Sequence, residues 1–214
     1  SPTGGSPYSF WAFSIFCFDA NDGWPKRNQA SSDLIKAFTA AGDSGSVRFN
    51  ATINWQATPA SFNMPVNAWD ATKPIPFMFK YPDPKGFASD DNIMIMRLAD
   101  IILLAAEANV QKGNLSAATT LLNQIRSRVG LPNTTATTAN ALALAVLNER
   151  RLELVFECTR WNDLKRADKN GIVNIITIMN NQKNKAGAGL GYTMAADKHQ
   201  LIFPIPNQDR LLNK

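Results

Sequence analysis

From Leu98 onward, apolar residues recur at helical spacing. Leu98, Ile101, Ile102, Ala105 and Ala108 trace one face, and Gly113 marks the end of that helix. Asn114 or Ser116 can open the next helix, which turns Ala118, Leu121, Leu122 and Ile125 inward. Small residues at Ala105, Ala106, Ala117 and Ala118 let two antiparallel helices approach closely. Residues 133–140 form a low-complexity linker, after which the pattern predicts one long helix from about Ala141 to Arg166. Residues 180–197, rich in Asn, Lys and Gly, read as a loop. The tail from His199 to Pro206 reads as extended, because each proline disfavours helix at the residue before it.

The first 90 residues carry a different pattern. Ser32 and Asp33 can cap a short helix running from Leu34 through Phe38 to Ala41; the rest reads as irregular loops with a few short strands. Four of the five tryptophans and most of the prolines fall here. Loops this long in a compact protein are usually functional. The helical pair near residues 98–128 has roughly the 34-residue period of a tetratricopeptide unit, and one such unit cannot bury its own face. The predicted fold is mainly α: tetratricopeptide-like helical hairpins with a loop-rich, irregular N-terminal segment. Residues 1–90 form that segment and offer the candidate ligand surface, residues 91–214 form the helical region, and the two make one continuous domain.

Composition narrows the function classes. At 45% hydrophobic and 18% charged residues, the chain is ordinary globular protein. Its net charge of +5 is mild, and Lys and Arg alternate with Asp and Glu without forming a block, so no nucleic-acid partner is predicted. The longest near-continuous apolar run, Phe10 to Phe18, is interrupted by Ser14 and falls short of the roughly 20 residues that span a bilayer. No membrane-spanning segment is predicted. Cys17 and Cys158 are too few and too far apart for a disulfide framework or a metal site, and both read as buried small hydrophobes. The opening Ser-Pro-Thr-Gly-Gly-Ser has neither an initiator Met nor a leader pattern, so a leader has been removed or the sequence begins within a longer protein.

Glu149, Glu153 and Glu157 stand at helical i, i+4, i+8 spacing, where alone they would repel one another. Arg150, Arg151 and Arg160 share that stretch, and Arg97, Arg126 and Arg128 come from segments expected to pack on it. A cross-helix ion-pair network is the better reading: Arg97, Glu107, Arg126, Glu149, Glu153 and Arg160 should be largely buried in ion pairs. A di-metal site would need paired Glu-x-x-His motifs, and the single histidine, His199, lies in the tail. No metal, cofactor or catalytic residue is therefore assigned; there is no nucleophile motif, and the glycines at 187–191 lack the surroundings of a phosphate loop. The tryptophans carry more information. Trp24 sits in a polar turn beside Asn21, Asp22 and Arg27, which suits stacking on the C–H face of a sugar with hydrogen bonds to its hydroxyls. These four residues are the candidate ligand-binding set, with Trp11 a second stacking ring.

Four segments, in order and spacing, are specific together. They are Arg97-Leu-Ala-Asp-Ile-Ile-Leu-Leu-Ala-Ala-Glu-Ala108, Leu122-Asn-Gln-Ile-Arg-Ser-Arg-Val-Gly-Leu-Pro132, the stretch Glu149 to Arg166, and Leu201-Ile-Phe-Pro-Ile-Pro206. They resemble the SusD/RagB family, as do Ser32 to Phe38 and Val47 to Ile53 upstream. The resemblance implies a non-catalytic, mostly helical lipoprotein of the bacterial cell surface. Such a protein binds oligosaccharide and serves a TonB-dependent outer-membrane barrel of the SusC type. It also implies that this is the C-terminal portion of a protein about twice as long, anchored to the outer membrane through an N-terminal Cys not present in this chain. Cys158 departs from the pattern by standing where the family usually has Gly, and Asn162 by replacing a common aromatic. Ligand residues vary across the family, so none is carried over by position. The competing reading is a tetratricopeptide-like scaffold for a peptide or protein partner; the aromatic-rich first 90 residues favour the glycan.

Overall fold

The structure, a computed structural model, describes residues 30–56, 75–80, 95–182, 189, 191 and 193–202. Helix α1 (Ser32–Ala40) starts two residues earlier than the pattern suggests, because the Ser31 hydroxyl accepts the Leu34 N–H at 3.2 Å. Ser46 does the same for α2 (Val47–Thr52), accepting the Phe49 N–H at 3.0 Å. The chain then runs directly into β1 (Ile53–Gln56), which pairs antiparallel with β2 (Ile75–Met78) in the register Ile53 to Met78. Phe38 and Phe49 meet edge to face at 5.1 Å, in a core with Ala30, Leu34, Ile53 and Leu152. Leu152 belongs to the helical half, so residues 30–56 share a core with it.

That half is built on α3 (Leu98–Gln111), α4 (Leu115–Arg128) and α5 (Ala139–Glu153), packed on one another. Gly113 takes φ +78° between α3 and α4, a left-handed turn that suits glycine. Helix α4 turns Ala118, Leu122 and Ile125 inward as the pattern predicts. The buried face of α3 is another matter: it carries Ala99, Leu103, Ala106 and Val110, whereas Leu98, Ile101 and Ala108 are exposed and Ile102 only half-buried. Apolar residues nearly encircle this helix, so periodicity alone could not select the inner face.

The predicted single helix from 141 to 166 is two helices, α5 and α6 (Arg160–Lys169). The cause is competition for the last carbonyls of α5. Glu153 O accepts from Arg97 Nη2 and from Lys80 Nζ, each at 2.6 Å, and Lys80 Nζ also reaches Val155 O at 3.3 Å. The Glu157 amide, which would continue the helix by bonding Glu153 O, turns instead to Leu154 O at 3.0 Å. Phe156 and Cys158 complete the reversal in left-handed geometry, at φ 66° and 60°. Beyond α6, α7 (Ile175–Asn180) is capped by Asn174 and packs Ile175 and Ile176 against Leu164 and Met194. Within the tail expected to be extended, His199–Leu201 is a 3-10 turn, set by the left-handed Lys198 at φ 62°; residues 203–206 lie outside the described residues.

Cys158 is exposed, not the buried small hydrophobe the sequence suggested, because it occupies the outside of this reversal. Its left-handed backbone also supplies a physical reason for the glycine expected at that position. A non-glycine residue there costs roughly 1–2 kcal/mol, while glycine loses about 0.4–1 kcal/mol more entropy on folding. The strain outweighs the entropy, so Cys158→Gly should stabilise by about 0.5–1 kcal/mol, a rise of roughly 1–4 °C in melting temperature for a domain of this size. A thermal melt checks this; a lowered midpoint would mean that the thiol contributes more than its backbone costs.

Candidate functional site

The densest set of chemical groups surrounds the C-terminal half of α5. Glu149 and Glu153 are one helical turn apart and almost fully buried, with side chains 2% and 3% exposed. Arg48, from α2, lies between them: Nη1 donates to Glu149 Oε1 at 2.6 Å and to Glu153 Oε2 at 3.0 Å. The rest of its guanidinium is taken by Asp43, itself fully buried. Arg97 reaches Glu153 Oε1 at 2.6 Å and grips both oxygens of Glu157. Arg128 adds a bond to Glu153 Oε1 at 2.7 Å, and Arg126 joins Glu149 Oε2 at 2.9 Å while holding Pro132 O at 2.8 Å. Lys80 pairs with Glu157. Five cations from four separate stretches thus meet four carboxylates.

A second cluster sits beside it. Arg150 Nη2 bridges Asp100 and Asp163 at 2.8 and 2.9 Å, and Arg166 ties Asp163 to Glu107 on α3. Of the expected buried pairs, those of Arg97, Arg126, Glu149 and Glu153 are present, and Glu107 is paired but lies nearer the surface. Arg160 departs from the expectation. No carboxylate among the described residues pairs with it; it donates to Leu147 O at 3.4 Å, and burial with neighbouring Arg151 pushes it down to about 10. Asp43, Arg48 and Lys80 escaped the sequence reading. A lone Arg between Val47 and Phe49 was the available signal.

This arrangement suits architecture better than acid–base work. Burial alone would raise the Glu153 carboxyl, but hydrogen bonds and charge from Arg97, then Arg48 and Arg128, outweigh it and hold the group below its ordinary 4.5. A general acid at neutral pH needs the opposite shift. Burial is also the main influence on Lys80, and it lowers that ammonium despite Glu157. Among the described residues, no group of three or more His, Cys, Asp or Glu is placed to hold a metal ion.

The sequence-derived ligand set, Trp24, Asn21, Asp22, Arg27 and Trp11, lies outside the described residues, as does Trp69. Trp161 is half-buried against the Leu164 and Ile175 cluster and so anchors α6 to its neighbours. Trp55 is the described tryptophan with an open face: it stands on β1 opposite Pro76, 40% exposed.

Removing one carboxylate should expose the cost of this network. Glu153→Ala removes the carboxylate that Arg48, Arg97 and Arg128 share, leaving Arg48 to Asp43 and Glu149 and Arg97 to Glu157, and should destabilise by up to about 3–5 kcal/mol in chemical denaturation; a wild-type midpoint would mean the cluster is effectively solvated. Acid should act in the same direction. Because the folded Glu153 carboxyl lies below 4.5, its contribution is complete above that pH and disappears as pH falls through the lower folded value. Stability should therefore drop below about pH 4.5, and the drop should be smaller in Glu153→Gln.

With this geometry in hand, comparison with known proteins is informative. The model of the SusD family matches residues 25–214. The chain is 42% identical over 89 residues to SusD-like protein P38 of Formosa agariphila, covering 37% of this chain and 18% of that protein. SusD-like protein P2 of the same organism is 34% identical over 90 residues, with 38% and 18% covered. A solved SusD-like protein of Bacteroides fragilis superposes with TM-score 0.54 at 22% identity, over 78% of this chain and 42% of that one. A SusD superfamily protein of Parabacteroides distasonis gives TM-score 0.54 at 26% identity, over 86% and 40%. The chain thus spans less than half the length of these solved relatives, and the matches to the two Formosa proteins cover a smaller share still. Among the described residues no helix is long and apolar enough to cross a membrane. Since the family match runs through nearly all of the sequence and the solved relatives share its helical fold, this chain belongs to the SusD family.

Proposed function

We propose that this protein captures an oligosaccharide at the bacterial cell surface, without cleaving it, for delivery to a TonB-dependent outer-membrane transporter of the SusC type. Membership of the SusD family carries this reading, because its members are generally non-catalytic, glycan-binding nutrient-uptake proteins of the outer membrane. Anchoring would come from a lipidated N-terminal Cys outside this chain. The chemistry of α5 is compatible: its carboxylates are held ionised by guanidinium groups and serve the fold, which leaves them poorly suited to glycosidic bond cleavage.

The ligand surface we propose is centred on Trp24, whose ring would stack on a sugar face while Asn21, Asp22 and Arg27 bond to hydroxyls; Trp11 offers a second ring. Trp55 on β1, 40% exposed, is a further open ring. Stacking of rings on nucleobases is worth about 1–3 kcal/mol, and similar stacking on sugar corresponds to a roughly five- to 150-fold weaker Kd for Trp24→Ala.

A panel of oligosaccharides titrated against intrinsic tryptophan fluorescence should identify a binder. Trp24→Ala should then lose affinity by that factor with an unchanged melting temperature. Unchanged affinity with a lowered melting temperature would make Trp24 a core anchor instead. Incubation of pure protein with the bound glycan should release no reducing ends, and their appearance would refute the non-catalytic reading.

A further inference from the structure

Eight arginines fall among the described residues, and six are matched to carboxylates. Arg48, Arg97, Arg126, Arg128, Arg150 and Arg166 each reach a carboxylate oxygen at 2.6–2.9 Å. The two exceptions, Arg151 and Arg160, are neighbours. Arg160 Nη1 lies 3.4 Å from Leu147 O, the carbonyl that the Arg151 amide bonds within α5, so its guanidinium rests on the turn that carries Arg151. At that distance the contact is a weak hydrogen bond, and it leaves most of a five-donor group unengaged. No carboxylate among the described residues pairs with either guanidinium. Asp163, one turn along α6, is already shared by Arg150 and Arg166, and Asp33 acts on Arg151 through its field. Both side chains are half-buried. Arg160 also opens α6, where the helix dipole favours an anion over a cation. Burial and the charge of Arg151 push Arg160 down to about 10, and burial lowers Arg151 as well.

We propose that Arg151 and Arg160 form a site for an oxyanion, a carboxylate or sulfate group, where the start of α6 meets the last turns of α5. Two like charges withdrawn from water repel each other and lose hydration, and an anion between them reverses both effects. Guanidinium groups suit that role, because their planar forks donate two parallel hydrogen bonds to a carboxylate or sulfate. Half-burial suits it too: partial desolvation strengthens the contact, while the remaining exposure lets a ligand enter. The anion has two possible sources, a free ion and an acidic group on the captured glycan. The second rests on the function proposed above and would make the ligand an acidic oligosaccharide.

Anion titration tests it. Sodium sulfate, and separately sodium glucuronate, would replace sodium chloride at constant ionic strength while the arginine Nε–Hε resonances are followed by NMR. The Arg151 and Arg160 signals should shift saturably. Arg151→Gln and Arg160→Gln should each weaken sulfate binding at least about tenfold, the loss expected for charge-assisted hydrogen bonds. Arg160→Lys, which keeps the charge and loses the fork, should also bind more weakly. Lys112→Gln, which removes a charge from an exposed position on the C-terminal side of α3, should bind as wild type does. Shifts that do not saturate would overturn the proposal, and so would an equal loss in Lys112→Gln, which would reduce the effect to a diffuse positive field. Either glutamine variant alone decides the matter if the other fails to fold. Acidic and neutral oligosaccharides then separate the two sources. Affinity lost in both variants for acidic glycans alone assigns the anion to the glycan; sulfate binding with unchanged glycan affinity assigns it to a free ion. If no oligosaccharide binds at all, the capture reading fails while the sulfate titration still decides the site.

Discussion

Two carboxylates one turn apart on α5, removed from water, must be neutralised wherever the fold places them. An unpaired buried carboxylate is far costlier than any single packing defect, so the positions of Glu149 and Glu153 determine where several distant segments can go. Arg48 satisfies both from about a hundred residues away in sequence, and Arg97, Arg126 and Arg128 complete the set from α3 and α4. Sheet, hairpin and central helix are therefore tied to one point. Arg48, together with the packing of Phe49 and Ile53 in a core with Leu152, links α2 to α5, which explains why a short two-stranded sheet with little core of its own is held in place.

The same cations also end α5. Arg97 and Lys80 donate to the Glu153 carbonyl that the next helical amide would have used, so the network that buries the glutamates also breaks the helix. The reversal that follows swings Glu157 back to the same cations and aims α6 toward Arg150, whose guanidinium joins Asp100 and Asp163. Helix α6 then receives α7 through Leu164 and Ile175. Two adjacent electrostatic clusters thus tie α2, α3, α4, α5 and α6 together, while the three apolar cores fill the space between the helices.

For function, this means the most conspicuous ionisable groups are committed to architecture. A protein that spends its acids and arginines on internal pairing presents a rigid frame, and in the proposed function recognition would fall to aromatic and polar side chains carried on that frame. Trp55 on β1 shows how the frame can do so: β1 continues directly from α2, whose Arg48 is locked between Glu149 and Glu153, so the ring is held on a fixed strand.

Much of this was legible in the sequence for a physical reason. Helix periodicity and small residues at close contacts are local properties, so the α3–α4 hairpin and the inner face of α4 followed from spacing, and glutamates at every fourth position with arginines nearby implied a neutralising network. Family resemblance rested on the same segments. Three features needed the tertiary structure. The inner face of α3 could not be read from a helix apolar nearly all round, because the choice is made by what packs against it. The break after Glu153 was hidden because no proline or glycine marks it; side chains from residues 80 and 97 cause it by taking a carbonyl. The partners Asp43, Arg48 and Lys80 were hidden because a charge reveals its counterion only when folding closes the distance, and sequence carries no information on that distance until the chain has a shape.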